Sequence, residues 1–122
     1  MLEPSGNIEG QFNVANGSSQ DELLRYEALA GPRFIRLLQV STDFETNRIN
    51  GSFTHASLDD KPNFRAISYC WGSSDLVDKV WFDDHQYLGI TRSAAEVIRF
   101  LIKTKYTGHF WIDAVCIYFD RY

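Results

Sequence analysis

The sequence predicts an α/β protein in which buried strands alternate with one main amphipathic helix. Two almost continuous apolar runs, residues 34–40 and 110–117, are typical of strands that are covered on both faces. Between them, residues 93–105 carry apolar side chains at helical spacing, with charged side chains on the opposite face. A strand, a helix and a second buried strand in this order favour a right-handed crossover and a parallel strand pair.

The first half of the chain predicts strands and an N-terminal β-hairpin region. Residues 34–40 form the first strand, and residues 48–58 a weaker second one, in which Asn50-Gly51 indicates a bulge or a tight turn. Residues 64–71 form a third strand. Two short strands, residues 80–82 and 86–88, flank Asp83-Asp84-His85 and predict a second hairpin.

The main helix has clear start and stop signals. Thr91 or Ser93 can cap its N-terminus, and Ser93 with Glu96 has the spacing of a capping box. Gly108 is expected to end it. Upstream, residues 21–26 have room for one helical turn, which is too short to be stable alone.

Composition excludes several classes of protein. The 122 residues are enough for one domain or part of one, and 44% are hydrophobic. The net charge is −4 and the cations are scattered, which argues against nucleic-acid binding. No apolar run approaches a membrane span, and the N-terminus lacks the pattern of a signal peptide, so a cytoplasmic location is expected.

The cysteines and histidines do not predict a metal site. Cys70 and Cys116 form no C-x-x-C motif, and His55, His85 and His109 have no zinc-ligand spacing. Each cysteine stands in an apolar run. Both are therefore expected to be buried, inert thiols rather than a disulfide.

Two strand segments carry polar groups near their carboxyl ends, where open α/β sheets bind ligands. Ser68 can act as a nucleophile only beside a base, and a hydroxyl bonded to backbone is the simpler interpretation. Asp113 stands between apolar neighbours and must be paired, capped or protonated. Anchoring a loop is favoured for this carboxylate over contact with a ligand.

Three further residues in these segments have simple structural interpretations. Trp71 and Trp111 are expected in the core, and Gly72 is expected to let the chain turn sharply after the strand. No phosphate-binding glycine motif accompanies Gly72.

The order of these segments resembles the HET (heterokaryon incompatibility) domain of filamentous fungi over about residues 26–117. The resemblance lies in four segments: Ile35-Arg36-Leu37-Leu38, Ala66-Ile67-Ser68-Tyr69-Cys70-Trp71-Gly72, Ile90-Thr91 before the helix, and Trp111-Ile112-Asp113-Ala114-Val115-Cys116-Ile117. The family continues from the last segment into Asn-Gln, whereas here Tyr118-Phe119 follows. Residues 1–25 are predicted to be a flexible tail, because Gly, Asn, Ser and Gln dominate up to about residue 20. The resemblance implies a truncated, N-terminal portion of a HET domain in residues 26–122.

The resemblance also implies a fold and a function. The fold would be a partial TIR-like, flavodoxin-like sheet, and the motif residues Ser68, Tyr69, Trp71, Gly72, Trp111, Asp113 and Cys116 would line a pocket. The function would be non-self recognition and programmed cell death, through assembly with itself or with other incompatibility proteins.

Two alternatives to an assembly module stay open. One is NAD cleavage by analogy with some TIR domains, for which this chain has no matching glutamate; no cofactor is otherwise expected. The other is a truncated remnant without function.

Overall fold

The computed structural model describes residues 21–118, and within that range seven strands form one mixed sheet. The strand order is β1-β6-β5-β3-β2-β7-β4. The strands are β1 (Glu22–Leu23), β2 (Phe34–Thr42), β3 (Ile49–Ser57), β4 (Phe64–Ile67), β5 (Leu76–Trp81), β6 (Gln86–Thr91) and β7 (His109–Ile112). Two α-helices, α1 (Arg92–Lys103) and α2 (Asp113–Cys116), and a 3₁₀ turn at Leu58–Asp60 complete the fold. The α/β class predicted from the sequence is confirmed.

Both α-helices pack on the same face of the sheet. Ile98 of α1 and Val115 of α2 are fully buried in one cluster with Leu38, Val80 and Phe110 from three different strands. Apolar burial on this scale is the main source of stability for such a sheet. Neither helix in residues 21–118 is long and apolar enough to span a membrane.

The N-terminal hairpin is present as β2 and β3, which pair antiparallel from Phe34↔Ser57 to Thr42↔Ile49. The bulge or turn predicted at Asn50-Gly51 is wrong, because Gly51 pairs in unbroken register with Val40. A Cβ on Gly51 would lie only 2.8 Å from Val80 Cγ1. The glycine therefore permits close approach of neighbouring side chains rather than a change of direction.

The second hairpin is also confirmed, as β5 and β6. At its turn, Asp83 Oδ1 accepts the backbone N–H groups of His85 and Gln86, each at 2.6 Å. These hydrogen bonds lower the pKa of the Asp83 carboxyl.

Helix α1 begins at the first of its two predicted caps. Thr91 Oγ1 accepts the N–H of Ala94 at 3.2 Å, whereas Ser93 lies inside the helix, so the predicted capping box does not define its start. The helix ends at Lys103, well before Gly108, and Lys105 adopts a positive φ of 61° just beyond it.

Two predicted strands are shorter than the sequence indicated. Residues 110–117 divide between β7 and α2, because Ala114, Val115 and Cys116 are buried on a helical turn instead of on a strand. A short apolar run is compatible with either structure. Residues 64–71 form a strand only as far as Ile67, and β4 lies at the edge of the sheet, not covered on both faces.

The parallel pair predicted across the helix is wrong. β7 pairs parallel with β4, whereas β6, which precedes α1, is separated from β7 by β5, β3 and β2. The intervening pairings make β6 and β7 run in opposite directions. The crossover expected through α1 is therefore wrong.

The helical turn predicted at residues 21–26 is also wrong. Glu22–Leu23 forms β1, which pairs parallel with β6, and Leu24 N–H donates to the Tyr87 carbonyl at 2.7 Å. The predicted tail reaches from residue 1 to residue 25, and its first 20 residues lie outside the described part of the chain, as do residues 119–122.

Candidate functional site

The two motif segments meet at one edge of the sheet because β4 and β7 are parallel neighbours. Ala66 pairs with Trp111, and Ile67 pairs with Ile112. One residue further on, Ser68 and Asp113 both leave the strands at the same edge. This is the edge at which open α/β sheets bind ligands.

A cavity of about 210 Å³ lies between the two segments. Its lining includes five of the seven motif residues: Ser68, Tyr69, Trp71, Trp111 and Asp113. Gly72 and Cys116 lie outside it. The structure thus brings most of the predicted residues together, and whether they bind anything stays a prediction.

The cavity offers little acid–base chemistry. Asp113 is the one ionisable carboxyl in its described lining, and no histidine lines it. His109 pairs with Phe64 at the opposite end of the β4–β7 ladder. Ser68 is exposed and has no base beside it in the lining, as a nucleophilic serine would require.

Asp113 is the first residue of α2 and is half-buried. Its carboxylate is placed at the end of the helix where unpaired N–H groups favour negative charge. Its backbone carbonyl accepts the N–H of Ile117 at 3.3 Å. The pairing or capping expected of this carboxylate stays a prediction.

Tyr69 and Trp71 form a wall between two cavities. Their rings are almost parallel, with an interplanar angle of 2° and centroids 6.2 Å apart. They also line a second cavity of about 200 Å³, together with Leu76, Ile90 and Ala114. Trp71 is 48% exposed, so its predicted core position is wrong: the chain has left the sheet after Ile67. Trp111 packs against the core as expected.

Gly72 has the left-handed backbone conformation that favours glycine, although residues 68–75 contain no turn or bend. Its φ of 63° is in the left-handed region, and a Cβ there would lie 2.9 Å from Ser93 Oγ. Any larger residue would therefore strain the backbone and press the loop against the first turn of α1.

The two cysteines differ. Cys116 is buried, accepts the N–H of Ile112 at 3.4 Å, and has its pKa raised to about 11 mainly by that burial. Cys70 is exposed in the loop after β4, so its predicted burial is wrong. Neither forms a disulfide. No group of metal-binding side chains is present in residues 21–118.

Sequence reasoning missed a polar network around Arg36. Arg36 is 8% exposed, donates from Nη2 to the Glu27 carbonyl at 2.6 Å and lies 4.9 Å from the ring centroid of Tyr26. Tyr26 in turn donates its hydroxyl to the Val115 carbonyl at 2.6 Å. The network ties the segment after β1 to α2. The sequence feature that could have indicated this network is the charged Arg36 inside an apolar strand.

The fold and this edge define an α/β protein with a candidate recognition site where two parallel motif strands end. Residues 64–121 match the family model described as Heterokaryon incompatibility protein (HET). Over this segment the chain is similar to the HET family, as the motif resemblance predicted. The match begins at Phe64, the first residue of β4, and includes both motif strands. Comparison with curated proteins and with solved structures gave no match.

Proposed function

We propose that this chain is a module for non-self recognition that leads to programmed cell death, and that it acts in the cytoplasm by protein–protein assembly. The observation that carries the proposal is the HET family match over residues 64–121, which includes both motif strands of the candidate site. A TIR-like origin of the fold, and a fungal source, belong to the same proposal.

The surface supports assembly better than catalysis. Large apolar side chains are exposed at Phe44, Trp71 and Val77, the most exposed being Phe44 at 101%. Aromatic side chains such as those of Phe44 and Trp71 are enriched in protein–protein interfaces. The cavity at the ends of β4 and β7, by contrast, has a single carboxyl, whereas acid–base catalysis commonly uses a pair of groups.

NAD cleavage is the second candidate, favoured by the aromatic walls of the cavity. Tyr69, Trp71 and Trp111 could stack on a planar heterocycle, but no glutamate is in the described lining. We expect NAD to stay intact when incubated with the purified chain. Release of nicotinamide that is lost in Asp113→Ala would favour the enzyme instead.

A remnant without function would fold poorly. The continuous cluster around Leu38, Val80, Ile98 and Phe110 supports a cooperative fold, since a contiguous core is what makes unfolding all-or-none. We expect a single urea transition with a slope normal for this chain length. A broad, shallow transition would favour the remnant.

Induced expression in a filamentous fungus tests the proposal directly. Cells that express the chain should lose viability, measured by dye exclusion. The matched control is Leu38→Asp, which places a charge at a site with 0% exposure and should unfold the domain. Equal survival of cells with the wild-type chain and with this control would contradict the proposed function.

A further inference from the structure

The loop between β2 and β3, residues 43–48, presents an aromatic ring entirely to solvent. Phe44 is 101% exposed. The loop is nonetheless well defined by hydrogen bonds: Glu45 N–H donates to Asp43 Oδ1 at 3.0 Å, and Asn47 N–H donates to the Asp43 carbonyl at 2.9 Å. We call this loop the tip.

The tip is also fastened to the body of the protein. Arg99 of α1 donates from Nη2 to the Asn47 carbonyl at 3.2 Å and from Nη1 to the Asn47 side chain at 3.4 Å. A ring held on a preformed loop loses little further conformational entropy when it is buried by a partner. Phe44 therefore has the properties of an interface anchor, with the carboxylates of Asp43 and Glu45 on either side of it.

A groove into which an aromatic ring could fit lies on β5 and β6. It has a volume of about 540 Å³, and its walls include Leu76, Val77, Asp78, Lys79, Trp81 and Tyr87. Leu76 is 50% and Val77 57% exposed. A dry cavity of ~150 Å³ can hold benzene, so the groove has room for a phenyl ring together with the residues that flank it.

The charge in the groove is positive at Lys79. Its ammonium lies 4.4 Å from the Tyr87 ring centroid and 5.5 Å from that of Trp81. Within residues 21–118 it forms no ion pair, whereas the neighbouring Asp78 is paired with Arg99 at 3.9 Å. An acidic segment that also brings an apolar ring would satisfy both the cation and the exposed aliphatic side chains.

We propose that the tip of one copy docks in the groove of a second copy of this chain. Phe44 would pack against Leu76 and Val77, and the carboxylates of Asp43 and Glu45 would face Lys79. The inference rests on the proposed function in its assembly form and names the surface that carries it.

Sedimentation velocity of the full chain over a concentration series tests the docking. The wild-type weight-average mass should rise above the 14.1 kDa monomer as concentration increases. Phe44→Ala and Lys79→Glu should each weaken association roughly 30-fold, the change in Kd typical of an anchor residue. Phe100→Ala removes another exposed ring, which is 66% exposed on α1, and should associate like wild type. Circular dichroism checks that each variant is folded.

Mixing the two weakened variants makes the test specific. Phe44→Ala keeps an intact groove and Lys79→Glu keeps an intact tip, so an equimolar mixture should form a dimer through one interface and nothing larger. Wild-type association that Phe44→Ala leaves unchanged would overturn the docking surface and leave the proposed assembly standing. A wild-type chain that is monomeric at every concentration would overturn self-association itself, and would point to a different protein as the occupant of the groove.

Discussion

Replacing Gly51 by alanine tests how closely the central strands pack. The new Cβ would lie 2.8 Å from Val80 Cγ1, 3.1 Å from Phe82 Cε1 and 3.2 Å from Leu38 Cδ1. Val80 and Leu38 are both 0% exposed, and the χ1 angle of the β-branched Val80 is restricted, so neither side chain can move aside without a cost in stability.

Two opposing effects set the magnitude. Alanine restricts the unfolded chain and should stabilise the fold by about 0.5–1 kcal/mol. Overpacking a dense core by one methyl group costs about 1–3 kcal/mol. We therefore expect Gly51→Ala to lower the free energy of unfolding by about 1–2 kcal/mol, measured as a lower urea midpoint at unchanged slope.

Gly31→Ala is the matched control. Its added Cβ would meet nothing nearer than Phe34 Cδ1 at 3.8 Å, an ordinary contact, so this variant should be neutral or more stable by up to about 1 kcal/mol. If Gly51→Ala proved as stable as Gly31→Ala, the close approach of β3 to β5 would be refuted, and the bulge indicated by the sequence would be the better interpretation.

Three further predictions concern the helix cap and the two thiols. Thr91→Ala should destabilise the fold by about 1 kcal/mol because it removes the hydrogen bond to Ala94 N–H, whereas Ser93→Ala should change stability by less than about 0.5 kcal/mol; urea melts of both variants decide whether the capping residue is correct. A thiol reagent at neutral pH should modify the exposed Cys70 in the folded chain and reach Cys116 only after denaturation, and fast labelling of both would contradict the burial of Cys116. The folded-state pKa of Cys116, about 11, exceeds its unfolded value of 9.0, so the stability that its neutral thiol contributes is complete below pH 9.0 and is lost as pH rises towards 11. The free energy of unfolding should fall by about 2–3 kcal/mol, and Cys116→Ala should lack this part of the pH dependence. An equal fall in stability with pH for both proteins would contradict the prediction.

Sequence reasoning predicted correctly the elements whose residue pattern fits a single type of secondary structure. β2 and β3, the β5–β6 hairpin and α1 all follow from periodicity and turn residues. The segment from Phe110 to Ile117 failed because a continuous apolar run does not distinguish a strand from a buried helical turn. β1 failed because two residues carry no periodic signal, and the pairing with Tyr87 that forms this strand is long-range.

The strand order was beyond local reasoning for a similar reason. The sequence of strand, helix and strand suggested that β6 and β7 are parallel neighbours, but three strands separate them. The position of β7 beside β2 depends on pairings such as that of Leu38 with Phe110, which join residues far apart in the chain. No local pattern specifies such a pairing.

The candidate site was partly predictable. The rule that functional groups gather at the carboxyl ends of strands placed Ser68 and Asp113 at one edge, where both line the same cavity. The exposure of Trp71 was missed because it depends on where β4 ends. The network from Arg36 through Tyr26 to α2 was missed because its partners are backbone carbonyls, which no residue type reveals.

The most direct test of the central claim is the viability of fungal cells that express single variants of this chain. If the chain acts by assembly through its tip, the wild type and Phe100→Ala should reduce viability equally, and Phe44→Ala, which is equally folded, should leave most cells alive. Phe44 has no buried contact whose loss could unfold the domain, so a difference would be due to association alone. Equal killing by all three proteins would contradict assembly through this surface, and equal survival would contradict the cell-death function.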